Sequence, residues 1–199
     1  VNDDQLITES IRTRLYTWED DLAERVGRGR TEQNAQKRDR ASYDANKLME
    51  SNLLANQHAA VAEIGVARVM GAYCFAGIWS VHMHKTYSNL PDVLWGTIEV
   101  EVKWRRSGRF MPVDAKDAEK NRLVIWAECR LASKYGCVCD FCSRWTEWTD
   151  VSMVRVLGGG WAGELWSKGT SYGEDTQRVK VDPMFLTPIK ELLSKPVAN

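Results

Sequence analysis

The stretch PDVLWGTIEVEVKWRR, residues 91–106, places three charged side chains at every second position. In an extended strand alternate residues share a face, so Glu99, Glu101 and Lys103 lie on one side and Val100, Val102 and Trp104 on the other. Acidic groups on one face repel each other unless a cation sits between them. Asp92, behind Pro91, starts the preceding strand and converges with Glu101 if the two strands pair. Carboxylate oxygens at such a vertex suit a hard divalent ion such as magnesium. Lys103 points the same way as Glu101, where an ammonium can hold an attacking water and offset charge developing on a phosphate. The plainer reading is a solvated strand face on which Lys103 pairs with Glu99 or Glu101.

A second group of chemically able residues is Cys137, Cys139 and Cys142, with Cys129 earlier in the chain. Four thiolates can hold zinc tetrahedrally. Only Cys139 and Cys142 have the two-residue spacing of a knuckle, and reduced, partly buried thiols are the simpler state. His82 and His84 alternate on one strand with no carboxylate beside them. His58 reads as an exposed residue near a helix start. Arg105, Arg106 and Arg109 flank a turn just after Lys103 and could meet a phosphate backbone.

These side chains need a scaffold. Ile7, Ile11, Leu15, Trp18, Leu22 and Val26 recur at helical steps and predict one long helix over 4–26, ended by the glycines at 27–29. A second helix is expected to enter at Thr31. Residues 56–71 predict a helix with Val61, Ile64 and Ala67 on one side, Gly71 at its C-terminal end, and Gly65 closely packed. From residue 92 the period becomes two. Strands are expected at 92–95, 97–104, 109–113, 122–130 and 151–157, with a hairpin turn at 105–109, and a short helix follows Pro188. Helices first and then an antiparallel-looking meander define a mixed α+β chain. Its expected division is a helical extension over 1–55 and a core over 56–199, with a cysteine-containing loop at 129–148.

The chain has 199 residues, enough for one sizeable core, and 27 basic residues balance 27 acidic ones. This balance argues against a broadly basic nucleic-acid surface. No apolar run approaches the ~20 residues that a membrane span needs. The acidic start lacks the layout of a signal peptide, and five cysteines are an odd number, so the expected setting is cytoplasmic.

Pro91-Asp92 followed by Glu101-Val102-Lys103 resembles the PD-(D/E)xK, or restriction-endonuclease-like, nuclease superfamily. The flanking AVAEIGVARVMGAY, FMPVDAKDAEKNRLVIWAECRL and VRVLGGGWAGELW are similar to segments of its phage-encoded members, and the resemblance covers roughly residues 56–193. It implies a mixed sheet of four to five strands flanked by helices, and magnesium- or manganese-dependent hydrolysis of DNA. It further implies Asp92 and Glu101 as metal ligands, the Val102 carbonyl as a third, Lys103 as the water-positioning cation, and Glu63 as a group serving a second metal or its water. DNA is the expected partner, contacted by the three arginines. A homodimer through the N-terminal helix and, for a phage-encoded chain, the host cytoplasm complete the expectation. The rival is a nuclease-fold binding module without activity, holding nucleic acid, protein or zinc.

Overall fold

The computed structural model describes residues 3–38, 49–74, 90–104, 110–137, 142, 149–172 and 175–194. Six helices and ten strands are used below. The helices are α1 (Asp3–Thr8), α2 (Thr17–Arg38), α3 (Met49–Met70), α4 (Ala115–Glu119), α5 (Ala162–Lys168) and α6 (Ile189–Ser194). The strands are β1 (Ile11–Arg14), β2 (Tyr73–Cys74), β3 (Val93–Trp95), β4 (Ile98–Trp104), β5 (Met111–Asp114), β6 (Leu123–Arg130), β7 (Met153–Trp161), β8 (Thr170–Tyr172), β9 (Asp175–Val181) and β10 (Thr187–Pro188). The architecture is mixed α/β. A seven-stranded sheet runs β1-β7-β6-β4-β3-β2, with β10 also paired to β7, and a small sheet runs β5-β9-β8.

The large sheet separates two cores. On one side α2 and α3 pack Val61, Ile64 and Ala67 against Val100, Val102, Ile125 and Val154. On the other, Val124, Trp126 and Leu157 meet Met111, Val113 and Val181 of the small sheet and Leu165 of α5. Alternation along β4 and β6 thus serves both faces. No helix among the described residues is long and apolar enough to cross a membrane.

Three local expectations fail for identifiable reasons. The helix expected over 4–26 is broken: Ile11–Arg14 is a strand, paired antiparallel with β7 through Ile11↔Val156 and Thr13↔Val154. β-branched Ile11 and Thr13 are indifferent to helix, and ladder pairing decides. The supposed single apolar stripe is split, with Leu15 and Val26 buried while Ile7 and Trp18 face outward. The glycines at 27–29 do not stop α2, nor does a new helix enter at Thr31. Gly27 sits where α2 meets α3, and a Cβ there would fall 2.5 Å from the Gln57 side chain. Position 55, the expected end of the extension, lies inside α3. The meander is not wholly antiparallel either. β4 pairs parallel with β6, and β5 pairs with β9 in the small sheet; the turn expected at 105–109 lies outside the described residues.

The close packing expected at Gly65 is present. A Cβ there would lie 2.4 Å from Val154 Cγ2 and 2.5 Å from Val154 Cβ. Gly65→Ala is therefore expected to destabilise the protein by about 1–3 kcal/mol despite alanine's better helix propensity. Adding Val154→Ala should not restore it, because the Val154 Cβ itself obstructs. Urea unfolding midpoints of the single and double variants check this.

Candidate functional site

The parallel pairing of β4 and β6 requires a crossover, and that crossover carries β5 and α4 over the charged face of β4. Lys103 therefore meets three carboxylates. Its Nζ lies 3.2 Å from Glu101 Oε1, 2.7 Å from Asp114 Oδ2 and 3.1 Å from Asp117 Oδ2. Arg122, fully buried at the start of β6, donates to Glu99 at 2.7 Å, to Glu101 at 3.4 Å and to Asp117 at 3.2 Å. Lys116 stands 3.7 Å from Glu101, and Arg178 of β9 donates to Asp114 at 2.7 Å.

Asp92 enters from the other side of β4. β3 and β4 pair only through Val93↔Val100, Leu94↔Glu99 and Trp95↔Ile98. Val102 lies beyond that ladder, and its N–H donates instead to Asp92 Oδ2 at 2.8 Å. In a strand the N–H and C=O of one residue face the same edge, so the Val102 carbonyl faces that side too. Glu63 of α3 receives a bidentate bond from Arg30 of α2, both contacts at 2.7 Å. It is close enough that its charge acts on Asp92.

The charges are unevenly satisfied. Burial, then the charge of Glu63, pushes Asp92 up to about 7, although the Val102 N–H, Arg30 and Lys103 pull the other way. Burial, then Asp92, pushes Glu101 up to about 7 against Lys103 and Lys116. Burial opposes the charge of Lys103, but Glu101, Asp117 and Asp114 outweigh it and raise its pKa, so it stays an ammonium. Burial would raise Asp114, yet Lys103 and Arg178 hold it below its ordinary value.

Asp92 and Glu101 thus bind protons in the folded state between their ordinary values, 3.8 and 4.5, and about 7, where the unfolded chain has released them. The folded state then holds more protons than the unfolded one, so stability falls as pH rises through that window. Asp114, shifted the opposite way, acts only below its ordinary 3.8. Between pH 5 and pH 8 in chelator, Tm is expected to drop by roughly 10–20 °C, from about 1.4 kcal/mol per pH unit for each carboxyl up to its folded pKa and a scale of about 2–4 °C per kcal/mol for a chain this size. Scanning calorimetry checks this, and Asp92→Asn should flatten the profile.

Buried carboxylates whose charges are disfavoured in turn, Asp92 by Glu63 and Glu101 by Asp92, fit a hard divalent cation. The charge of Asp92 acts on Glu101, Lys103 pairs with Glu101, and the charge of Glu63 acts on Asp92. Glu99 is drawn off to Arg122. Sequence reasoning missed Asp114, Asp117 and Arg122 as partners. Their signal was the aspartate-rich DAKDAEKN, read as a separator between strands when it is α4 and its turn. Arg105, Arg106, Arg109, His82, His84 and Cys139 lie outside the described residues.

A separate group lies on the opposite face of β4. His58 is buried in α3, 1% exposed, and not an exposed residue near a helix start. The helix begins at Met49, so His58 is interior to it and faces the sheet. Its Nε2 lies 3.3 Å from Cys137 Sγ and 3.8 Å from Cys142 Sγ. These three ligand atoms all lie within 4.8 Å of one another, a grouping that could hold a metal ion. Cys129 does not belong to that trio; it faces the other ring nitrogen, Nδ1, at 3.1 Å. Among the described residues no acidic group closes as tightly, since the Lys103 ammonium stands amid its carboxylates.

Comparison with protein-family models, curated proteins and solved structures finds no match for this chain.

Proposed function

We propose that the chain is a metal-dependent DNA endonuclease of the restriction-endonuclease-like class, hydrolysing phosphodiester bonds. The observation that carries this reading is the buried Glu101 carboxylate, paired with the Lys103 ammonium and under the charge of Asp92, which precedes the neighbouring strand. Both carboxyls are pushed to about 7 by burial and by acidic neighbours. The α3–β2–β3–β4–β5–α4–β6 succession, with β4 and β6 parallel, supports the same class.

Asp92 and Glu101 would hold magnesium or manganese, with Glu63 and the Val102 carbonyl alongside. Bound there, the ion supplies Lewis-acid activation of water and phosphate. Lys103 orients the attacking water and offsets negative charge developing on the phosphoryl oxygens. Asp114 and Asp117 fix the ammonium in place, and Arg122 fixes Glu101 from behind. Arg105, Arg106 and Arg109 would contact the DNA backbone.

The test is incubation with plasmid DNA and magnesium or manganese. Cleavage by the parent that disappears in Asp92→Asn supports the enzyme. Calorimetry adds a readout independent of turnover: magnesium should bind at pH 8 and lose affinity at pH 5, where both carboxyls are protonated.

A second reading has its own support. Arg122 and Lys103 together engage Glu99, Glu101, Asp114 and Asp117, a buried ionic network that could stand as structure alone. The protein would then be a binding module. No cleavage of linear, branched or single-stranded DNA, with no magnesium binding by calorimetry, decides for it.

A further inference from the structure

We infer that His58, Cys137 and Cys142 form a structural site for a zinc-class ion, distinct from the carboxylate site. This goes beyond the nuclease reading and does not depend on it.

The spacing of the ligand atoms is the first argument. A tetrahedral centre with metal–sulfur bonds of about 2.3 Å and metal–nitrogen bonds of about 2.0–2.1 Å has ligand–ligand edges of roughly 3.5–3.8 Å. The observed Nε2–Sγ separations of 3.3 and 3.8 Å bracket those edges. Thiolate and imidazole are the donors that zinc prefers over magnesium.

The second argument is the support behind the histidine. The Cys129 thiol donates to the His58 backbone carbonyl at 3.2 Å. Its sulfur can therefore accept from Nδ1–H, 3.1 Å away. That bond assigns the proton to Nδ1 and leaves the Nε2 lone pair directed at Cys137 and Cys142. Metal-ligating histidines are oriented in this way by a partner on the second nitrogen. The ring is further fixed by stacking on Trp104, with centroids 4.4 Å apart and planes 6° from parallel.

The third argument is enclosure. His58 and Cys142 are buried and Cys137 is half-buried, so a bound ion would be a clamp, joining α3 to Cys137 and Cys142. Trp104 ends the strand that carries Glu101 and Lys103, so the clamp also braces β4.

The experiment uses the full chain, purified under reducing conditions. Elemental analysis should give one zinc per chain. After removal of zinc, titration with cobalt(II) should produce the intense visible bands of tetrahedral thiolate coordination. Cys137→Ser and Cys142→Ser should each lower cobalt affinity at least 100-fold. Cys129→Ser should keep the spectrum and lower affinity about 10–100-fold, as for partners that orient a ligand. Cys74→Ser, on β2 and outside the cluster, should change nothing. Absence of both zinc and cobalt binding in the folded parent protein overturns the assignment, as does an equal loss in Cys74→Ser. Because the cobalt spectrum of the parent is itself decisive, a variant that fails to fold does not blunt the test. Cleavage of DNA without zinc, or zinc without cleavage, separates this inference from the nuclease proposal.

Discussion

Lys103→Met is expected to lower divalent-dependent DNA cleavage by about 10²–10³-fold, the usual consequence of deleting one charge-stabilising donor from an active site. Methionine keeps much of the stem and removes only the ammonium. The fold should survive, because each carboxylate left behind retains another cation. Asp114 keeps Arg178, Asp117 keeps Arg122, and Glu101 keeps both Arg122 and Lys116. The loss should therefore fall on turnover, with magnesium affinity little changed or improved once Glu101 is released from Nζ. Single-turnover cleavage of a labelled duplex, beside calorimetric magnesium titration, makes the measurement. Lys103→Arg is the informative companion. A planar guanidinium reproduces the charge but not the three-way geometry, so activity should return only in part. Unchanged cleavage in the methionine variant would remove lysine from the mechanism.

Arg122→Met is expected to produce the largest loss of stability, about 3 kcal/mol, because a buried network that loses one of its cations leaves its carboxylates under-compensated. Both Arg122 and Asp117 are fully buried, and their contact at 3.2 Å is not shared with solvent. Glu99 is half outside and turns to water when its arginine goes, so it adds little. Asp117 keeps only the Lys103 ammonium, which it shares with Glu101 and Asp114. The double variant Arg122→Met with Asp117→Leu should recover much of the loss, since two apolar side chains of similar volume can replace a buried pair. Denaturant unfolding of the four proteins in the cycle yields the coupling energy. Losses that simply add would mean that the two groups do not act together.

Most strands near the candidate site were legible because their signal is local. Alternating valines and charges in 98–104 and the apolar run in 123–130 place β4 and β6 within a residue or two of expectation. Gly65 inside a helix announced a close neighbour, and Val154 is that neighbour. What failed depends on partners distant in sequence. Nothing within IRTR shows that β7 will be beside it, so the helical spacing of Ile7 to Val26 misled. Nothing within RRSGR shows that β5 will pair with β9 in place of β4. The site divided along the same line. Glu101 and Lys103 share a strand period, and their pairing was legible. Arg122 and Asp117 arrive by the crossover, and His58 reaches Cys137 from an interior turn of α3. Such meetings have no period to read.

The pairing of β1 with β7 also bears on how the polypeptide acquires its shape. Ile11–Arg14 and its ladder partner, Met153–Val156, lie 139 (Arg14↔Met153) to 145 (Ile11↔Val156) residues apart in the chain. Contacts of such long sequence separation slow folding, because loop closure must precede the pairing that rewards it. Until β1 docks, the corresponding edge of β7 presents unpaired amides and carbonyls to any neighbouring strand. A variant lacking residues 1–14 should therefore express as aggregates more readily than the full chain.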